Sequence, residues 1–299
     1  MADLLAPLID HFHARTPIRA GSLVVTVFGD AVVPRGGVLS LESLLAITRA
    51  FRIGDGVVRT ALSRLVADGW FERWKLGRNS FYRLTASGAA AFARATARIY
   101  GPAAPTWSGA FDLLVLDGAG ERRAELAAAG YGSLGPDLMI GAMPVTGGGE
   151  GTSGEGISGE GISGEGILRL AARPDDPQTA RRLAARAWPV AEVGARYARF
   201  RDTFAAAGEA VAARPPAGLD ALVLRILLIH EYRRAVLKDP LLPADLLPRD
   251  WAGAAARSLC ATIYRTVAPA AEAWLDANAT TDSGALPPPG AAFAARFAA

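Results

Sequence analysis

The 299-residue sequence has one cysteine, Cys260, and only three histidines. A single cysteine excludes an internal disulfide framework and a cysteine zinc cluster, which is typical of a reducing compartment. Uncharged hydrophobic runs are too short to cross a bilayer, because Arg225 interrupts the best of them, LVLRILLIHEY. Asp3 and Asp10 interrupt the apolar start, so no secretory signal is predicted. We therefore expect a cytoplasmic protein without a membrane partner.

Positive charge is concentrated in the first third of the chain. Residues 1–100 carry 13 Lys and Arg against 7 Asp and Glu, a net charge of +6. The remaining residues carry 32 − 13 = 19 against 29 − 7 = 22, a net charge of −3. A basic region beside a slightly acidic one is typical of a protein that contacts a polyanion through one part only.

The basic region contains two helix patterns and a hairpin pattern in succession, from Ser40 to Leu84. Its parts are SLESLLAITRAF, the tight turn RIGDG, VVRTALSRLVADG and the hairpin WFERWKLGRNSFYRL. In the second helix Val58, Leu62 and Leu65 recur at i, i+4 and i+7, which predicts one buried face. We expect Asp55 to be the N-cap of this helix. The order of the parts predicts a winged helix-turn-helix that binds double-stranded DNA.

Polar residues of the second helix and the hairpin are the candidate DNA contacts. On the helix they fall opposite the apolar face, and in the hairpin they crowd around the glycine at its tip. The helix residues are Arg59, Thr60, Ser63 and Arg64, and the hairpin residues are Arg73, Lys75, Arg78 and Asn79. These side chains can contact base edges and phosphates. Two alternatives are an ordinary solvated helix and a helix used for protein contacts alone.

The remainder of the chain predicts an α+β, multidomain protein. Apolar segments at 107–116, 137–144 and 167–172 predict strands, and ERRAELAAAG and 177–187 predict helices, as in a ferredoxin-like domain. We expect four regions: a winged helix-turn-helix at 1–100, the ferredoxin-like domain at 105–188, a helical C-terminal domain at 189–278, and a disordered tail at 279–299. The central domain contains a glycine-rich loop, 147–166, and the motif SGEGI occurs three times in succession from residue 153 to residue 167.

With these patterns in view, the chain resembles the PaaX family, the repressors of phenylacetic acid degradation operons. The resemblance lies in SLVVTVFGDAVVPRGG, VVRTALSRLVADGWFERWKLGRNSFYRLTASG, RIYG, WPVAEVGARYARF and LLIHEYRRAVLKDPLLPADLLPRDW. It implies a homodimeric repressor of phenylacetate catabolism that binds an inverted-repeat operator. It also implies release by an aryl-acyl coenzyme A effector, typically phenylacetyl-CoA.

The block HEYRR is the strongest signal in the last third of the chain. Its candidate effector-binding residues are His230, Tyr232, Arg233 and Arg234. Paired arginines suit the phosphates of coenzyme A, and a tyrosine can stack on an aromatic ring. The alternative is a structural ion-pair network in which Glu231 satisfies an arginine. A zinc-protease motif is excluded, because position 234 holds arginine where a second histidine is required.

No arrangement of residues predicts catalysis, a metal site or a cofactor, so we expect a regulator rather than an enzyme. The alternative function is a metal-dependent nuclease that uses the central domain. Asp117, which follows a predicted strand, would be its metal ligand. No second acidic residue stands at a comparable strand end, which counts against that alternative.

Overall fold

The computed structural model describes residues 2–14, 20–102, 106–118, 120–144 and 166–298. These residues form two compact units. The first unit combines Met1–Pro102, Arg196–Leu237 and Ala252–Ala299, and the second combines Ala103–Ala195 with Lys238–Trp251. Helices and antiparallel sheets occur together, which confirms the predicted α+β, multidomain class.

The first unit begins with five helices and a small sheet. The helices are α1 (Ala2–His13), α2 (Ala20–Val27), α3 (Leu41–Arg49), α4 (Asp55–Ala67) and α5 (Ala86–Tyr100). The strands are β1 (Leu39–Ser40), β2 (Phe71–Leu76) and β3 (Asn79–Leu84), in the antiparallel order β1-β3-β2. The helix α2 continues as a π-helical turn, Phe28–Val32, and a 3-10 turn, Val33–Arg35.

Short-range signals set the ends of these elements. The Ser40 hydroxyl accepts from the backbone N–H of Ser43 at 3.1 Å and begins α3. The Thr85 hydroxyl accepts from Gly88 N at 3.0 Å and begins α5. Gly77 adopts a φ of 61° in the two-residue turn between β2 and β3, where glycine carries no steric cost.

Helices from the other end of the chain complete the first unit. They are most of α8 (Val190–Ala213), with α9 (Gly218–Val236), α10 (Ala252–Asn278) and the short α11 (Ala291–Ala294). Every residue of α9 from 221 to 230 is buried, so this part of the helix is enclosed on all sides. It packs against α10 and also against α1, α2 and α5. A two-stranded hairpin, β8 (Thr280–Thr281) and β9 (Gly284–Ala285), follows α10.

The second unit is a four-stranded antiparallel sheet with helices. Its strands are β4 (Trp107–Leu116), β5 (Gly132–Gly135), β6 (Leu138–Pro144) and β7 (Ile167–Ala172), in the order β5-β6-β4-β7. The helices are α6 (Arg123–Ala128) and α7 (Pro177–Ala187). One core cluster contains Phe111, Ile140 and Trp188, and the other contains Leu114 and Leu126.

Two sequence expectations differ from the structure. The tail is not disordered in its described part, because Leu286, Arg296 and Phe297 are buried. The helices expected to form a separate C-terminal domain at 189–278 mostly join the amino-terminal elements, because α9 is buried among them from residue 221 to residue 230. The stretch 238–248, which lies between α9 and α10, contributes Leu242 and further leucines to the core of the second unit.

The strand β5 was not predicted, because its glycines have little strand propensity. Of the glycine-rich loop 147–166, residues 147–165 lie outside the described part of the chain.

Candidate nucleic-acid interface

Buried side chains and an ion pair hold the turn between α3 and α4 in place. Phe51 and Ile53 are buried beneath it, at 0% and 5% exposure. Between them Arg52 adopts a φ of 56°, which few non-glycine residues do. The Arg52 side chain reaches Asp10 of α1 at 2.7 Å. Contacts on both sides therefore fix the direction in which α4 leaves the turn.

Asp55 does not cap α4, contrary to the sequence expectation. Gly54 is the N-cap, and Asp55 is the first residue of the helix. The carboxylate instead accepts two bonds from Arg49 of α3, at 2.9 Å from Nε and 2.6 Å from Nη2. That bond from Arg49 lowers the pKa of Asp55. A bidentate pair therefore joins the two helices across the turn.

The helix α4 has the two faces that its periodicity predicts. Val58 and Leu62 are fully buried, and Leu65 is half-buried. The four candidate contacts on the opposite face are all exposed: Arg59, Thr60, Ser63 and Arg64. Thr60 donates to the backbone oxygen of Gly56 at 2.9 Å, so its hydroxyl is partly engaged by its own helix.

The hairpin β2–β3 presents the other four candidates, all of them exposed: Arg73, Lys75, Arg78 and Asn79. Arg73 donates to the Ser80 hydroxyl at 3.1 Å. Trp74 stacks on Phe81 with a centroid distance of 6.0 Å, and this pair stiffens the hairpin. Because α4 packs against β2, the two candidate sets lie on neighbouring elements.

A contact from α1 to the helix-turn-helix was not predicted. His13 Nε2 lies 2.7 Å from the backbone oxygen of Phe51, at the end of α3. The neighbouring Phe12 meets the ring of His230 on α9 edge to face, with centroids 5.4 Å apart. The sequence offered only a histidine in the last turn of a helix, which does not specify a partner 38 residues away.

The four candidate effector residues of α9 lie in different environments. His230 and Tyr232 are buried, at 3% and 2% exposure, so they belong to the core of the first unit. Arg233 is half-buried and donates to the Ser22 hydroxyl of α2 at 2.9 Å. Arg234 is exposed and lines a cavity. The structure therefore does not gather the four side chains at one surface.

A buried charge network centred on Asp30 was also missed. The Asp30 carboxylate accepts from Arg225 Nε at 2.7 Å, Tyr100 OH at 2.7 Å, Tyr264 OH at 3.0 Å and Arg296 Nη1 at 3.1 Å. Asp30 lies in the π-helical turn, where extra backbone width lets a side chain enter from an unusual angle. One carboxylate thus joins α2's extension to α5, α9, α10 and the segment after α11.

The network continues through Glu272 of α10. Its two oxygens accept from Arg225 Nη1 at 2.5 Å and from Arg35 Nη1 at 2.6 Å. Arg35 also binds Asp276 and donates to the backbone oxygen of Pro287 at 2.7 Å. Three arginines, Arg35, Arg225 and Arg296, therefore share the three carboxylates of Asp30, Glu272 and Asp276, and a buried arginine requires such partners.

Burial and the Asp30 charge perturb the groups that surround this carboxylate. Burial and Asp30 together raise the pKa of Tyr100 and of Tyr264, so both hydroxyls stay protonated and donate. Burial alone would lower the pKa of Arg225, but the combined attraction of Asp30, Tyr264 and Glu272 outweighs it and the pKa is raised. Tyr100, Tyr264 and Arg225 therefore all face Asp30 as hydrogen-bond donors.

Nothing in the described residues supports the nuclease alternative. Asp117 is exposed in the turn after β4, and Gly118 beside it has a φ of 74°. Across the described ranges no three histidine, cysteine or acidic side chains are grouped so that they could hold a metal ion. None of the described helices is long and apolar enough to cross a membrane.

Comparison with known proteins gives the same family at both ends of the chain. Residues 19–88 match the PaaX-like protein family, and residues 188–277 match the PaaX-like protein C-terminal domain. The transcriptional repressor PaaX of Escherichia coli strain K12 is 35% identical, over 98% of this chain and 94% of its own length. The chain belongs to the PaaX family. This confirms the resemblance drawn from the sequence and places the chain among regulators rather than enzymes.

A solved structure shares the fold. An uncharacterized protein from Mycobacterium tuberculosis superposes with a TM-score of 0.53 over 85% of this PaaX-family chain and 98% of its own, at 22% sequence identity. At that identity the likeness concerns the fold alone.

Proposed function

We propose that the chain is a DNA-binding transcriptional repressor and that α4 reads the major groove. The observation that carries this proposal is the two-sided helix α4, which buries Val58 and Leu62 and presents Arg59 and Arg64 to solvent. The order α3, turn, α4 and hairpin is that of a winged helix-turn-helix, with the hairpin as the wing. The relationship to a transcriptional repressor supports the same function.

In this proposal Arg59, Thr60, Ser63 and Arg64 contact bases and phosphates, and Arg73, Lys75, Arg78 and Asn79 contact the flanking backbone. Arginine and threonine side chains suit base edges, and lysine suits a phosphate. A homodimer would read an inverted repeat, with its two copies of α4 one helical turn of DNA apart.

We further propose that the second unit is ferredoxin-like. The strand order β5-β6-β4-β7 is that of a split β-α-β unit with one added edge strand, and α6 connects β4 to β5. Its second helix, α7, follows the last strand instead of preceding it. In a repressor this unit would serve assembly or regulation rather than DNA reading.

The effector proposed from the family resemblance is an aryl-acyl coenzyme A, such as phenylacetyl-CoA, that releases the repressor from DNA. Release would follow if the effector favours a geometry in which the two recognition helices miss successive grooves. The arginine content of the α8–α9 surface, with Arg196, Arg199 and Arg234, suits the phosphates of such a molecule.

A fluorescence-anisotropy titration on DNA from the protein's own promoter region tests the function. The titration is run at fixed salt, with and without phenylacetyl-CoA, and with free CoA and other acyl-CoAs as controls. We expect specific binding at nanomolar concentration that exceeds binding to unrelated DNA by about a thousandfold or more. Equal affinity for promoter and unrelated DNA would contradict the repressor proposal. Specific binding that no thioester changes would contradict the effector alone.

A further inference from the structure

A cavity of about 360 Å³ opens between α8 and α9 within the first unit. Three guanidinium groups line it, from Arg196, Arg199 and Arg234, against the single carboxylate of Glu231. The lining therefore has a net charge of +3 − 1 = +2. The buried side chains of Phe200 and Ala235 supply an apolar part of the wall. A cationic wall beside an apolar one suits an anion that carries a hydrophobic group.

The same stretch of α9 faces both this cavity and α2. Arg234 lines the cavity, while its neighbour Arg233 donates to the Ser22 hydroxyl at 2.9 Å. One turn earlier, His230 Nδ1 lies 3.0 Å from the Thr26 hydroxyl. Because that hydroxyl already donates to the Ser22 backbone oxygen at 2.9 Å, the His230 Nδ1–H donates to Thr26. Two directed bonds therefore attach the cavity-bearing helix to α2.

The helix α2 is in turn packed against α4. At Gly21 a methyl group in place of the α-hydrogen would lie 3.9 Å from Leu65 and 4.0 Å from Ala61, which is van der Waals contact. Ser22, the acceptor for Arg233, is the next residue along α2. A displacement of α9 at the cavity would therefore reach α4 through one intervening helix.

We propose that the α8–α9 cavity binds an oxyanion attached to an apolar group, and that α9 transmits its occupancy through α2 to α4. The second part of this proposal, the transmission from α9 to α4, rests on the proposed function, in which α4 contacts DNA. The oxyanion is a carboxylate or a phosphate ester, since guanidinium groups bind both in a bidentate manner. The volume is at the small end for ligand pockets, so a molecule as large as coenzyme A would place only one part of itself here.

Isothermal titration calorimetry of the full-length protein tests the site. The probes are phenylacetate for the carboxylate, free CoA for the phosphates, and phenylacetyl-CoA for both. In Arg199→Gln and Arg234→Gln we expect the Kd of the binding probe to rise roughly ten- to a hundredfold, as for a lost charged hydrogen bond. Arg201→Gln, an exposed position on α8, is the matched control and should keep the wild-type Kd. The site is overturned if no probe binds, or if all three variants bind it like the wild type.

The route to α4 is tested with Ser22→Ala, which removes the acceptor of Arg233 at a half-buried position. We expect this variant to keep the calorimetric Kd of the probe. The probe-induced change in operator affinity should shrink by about threefold or more. An unchanged effect of the probe on operator affinity would overturn the route through α2.

The two proposals fail in different ways. Calorimetric binding that depends on Arg199 and Arg234, in a protein that binds no operator, would contradict the repressor and leave the cavity site standing. Specific operator binding by a protein whose cavity takes none of the probes would contradict the cavity site alone.

Discussion

Arginines of the first unit lie in two contrasting places. Arg59 and Arg64 stand exposed on the outer face of α4, whereas Arg225 and Arg35 are buried, at 0% and 1% exposure, in the network around Asp30 and Glu272. The buried arginines have short bonds to carboxylates, at 2.5–2.7 Å for Arg225. The same type of side chain thus faces solvent in one region and joins buried elements in the other.

The difference follows from the cost of removing charge from water. An exposed guanidinium keeps its hydration and remains available to a phosphate or a base. A buried guanidinium has lost its hydration and is tolerated only when matched carboxylates and further hydrogen bonds replace it. Under the proposed function, the exposed arginines of α4 contact DNA, and the buried arginines hold the fold together.

Removing the Asp30 carboxylate from the buried network has the largest expected effect, and it is an effect on stability. In Asp30→Asn an amide nitrogen replaces one carboxylate oxygen and faces either Arg225 or the donors Tyr100, Tyr264 and Arg296. Arg225 and Arg296 then lose the negative charge that balances them. We expect a loss of about 3–5 kcal/mol in the free energy of unfolding, measured by urea denaturation. Asp202→Asn, exposed on α8, is the control and should change it by less than about 0.5 kcal/mol. A loss below about 1 kcal/mol for Asp30→Asn would show that the network contributes little.

Removing a surface arginine sharpens the contrast between exposed and buried arginines. The affinity for DNA should fall, while the free energy of unfolding should stay the same. For Arg59→Ala we expect operator affinity to fall by about 1–3 kcal/mol, or roughly five- to 150-fold, in an anisotropy titration. The urea midpoint should stay at the wild-type value. Arg94→Ala, exposed on α5, serves as the control with unchanged affinity. If Arg59→Ala binds the operator like the wild type, α4 is misassigned as the recognition helix.

A wing residue should act on every duplex alike. Lys75 is exposed on β2, and a lysine that neutralises one phosphate releases about one counterion. For Lys75→Ala we expect weaker binding to operator and unrelated DNA in the same proportion. The slope of log K against log salt should become shallower by about 0.9. A loss confined to the operator would instead indicate base reading by Lys75.

The smallest expected effect concerns the exposed pair Asp55 and Arg49. The hydrogen bond from Arg49 lowers the folded-state pKa of Asp55, so its stabilisation is present above the unfolded aspartate value of about 3.9. It is lost as the pH falls through the lower folded-state value. Asp55→Asn should therefore have a slightly lower urea midpoint than the wild type at pH 7, and the gap should narrow below pH 4. A difference between the two urea midpoints that widens as the pH falls would contradict a stabilising pair between Asp55 and Arg49.

Sequence periodicity predicted the exposed region well, because its signals are local. The burial of Val58 and Leu62 and the hairpin around Gly77 depend on residues a few positions apart. Asp55 was misassigned because its partner Arg49 lies across a turn, and a side-chain pair of that kind competes with capping.

The buried region could not be predicted, because its partners are distant in sequence. Arg296 lies in an Ala- and Pro-rich stretch whose composition resembles a disordered tail, yet its guanidinium bonds to Asp30, 266 residues away. Composition carries no information on such a contact. For the same reason the sequence left HEYRR open between a ligand site and a structural ion-pair network, and it did not show that α9 turns His230 and Tyr232 into the core.

The bonds to Asp30 close chain loops of 195, 234 and 266 residues, to Arg225, Tyr264 and Arg296. Contacts of such sequence separation form late in folding, because a large loop entropy is lost before any of them is made. During synthesis Asp30 can meet Tyr100, 70 residues away, long before the region around Arg296 has been translated. We expect the first unit to mature only after translation of that region, when all the partners of Asp30 are present.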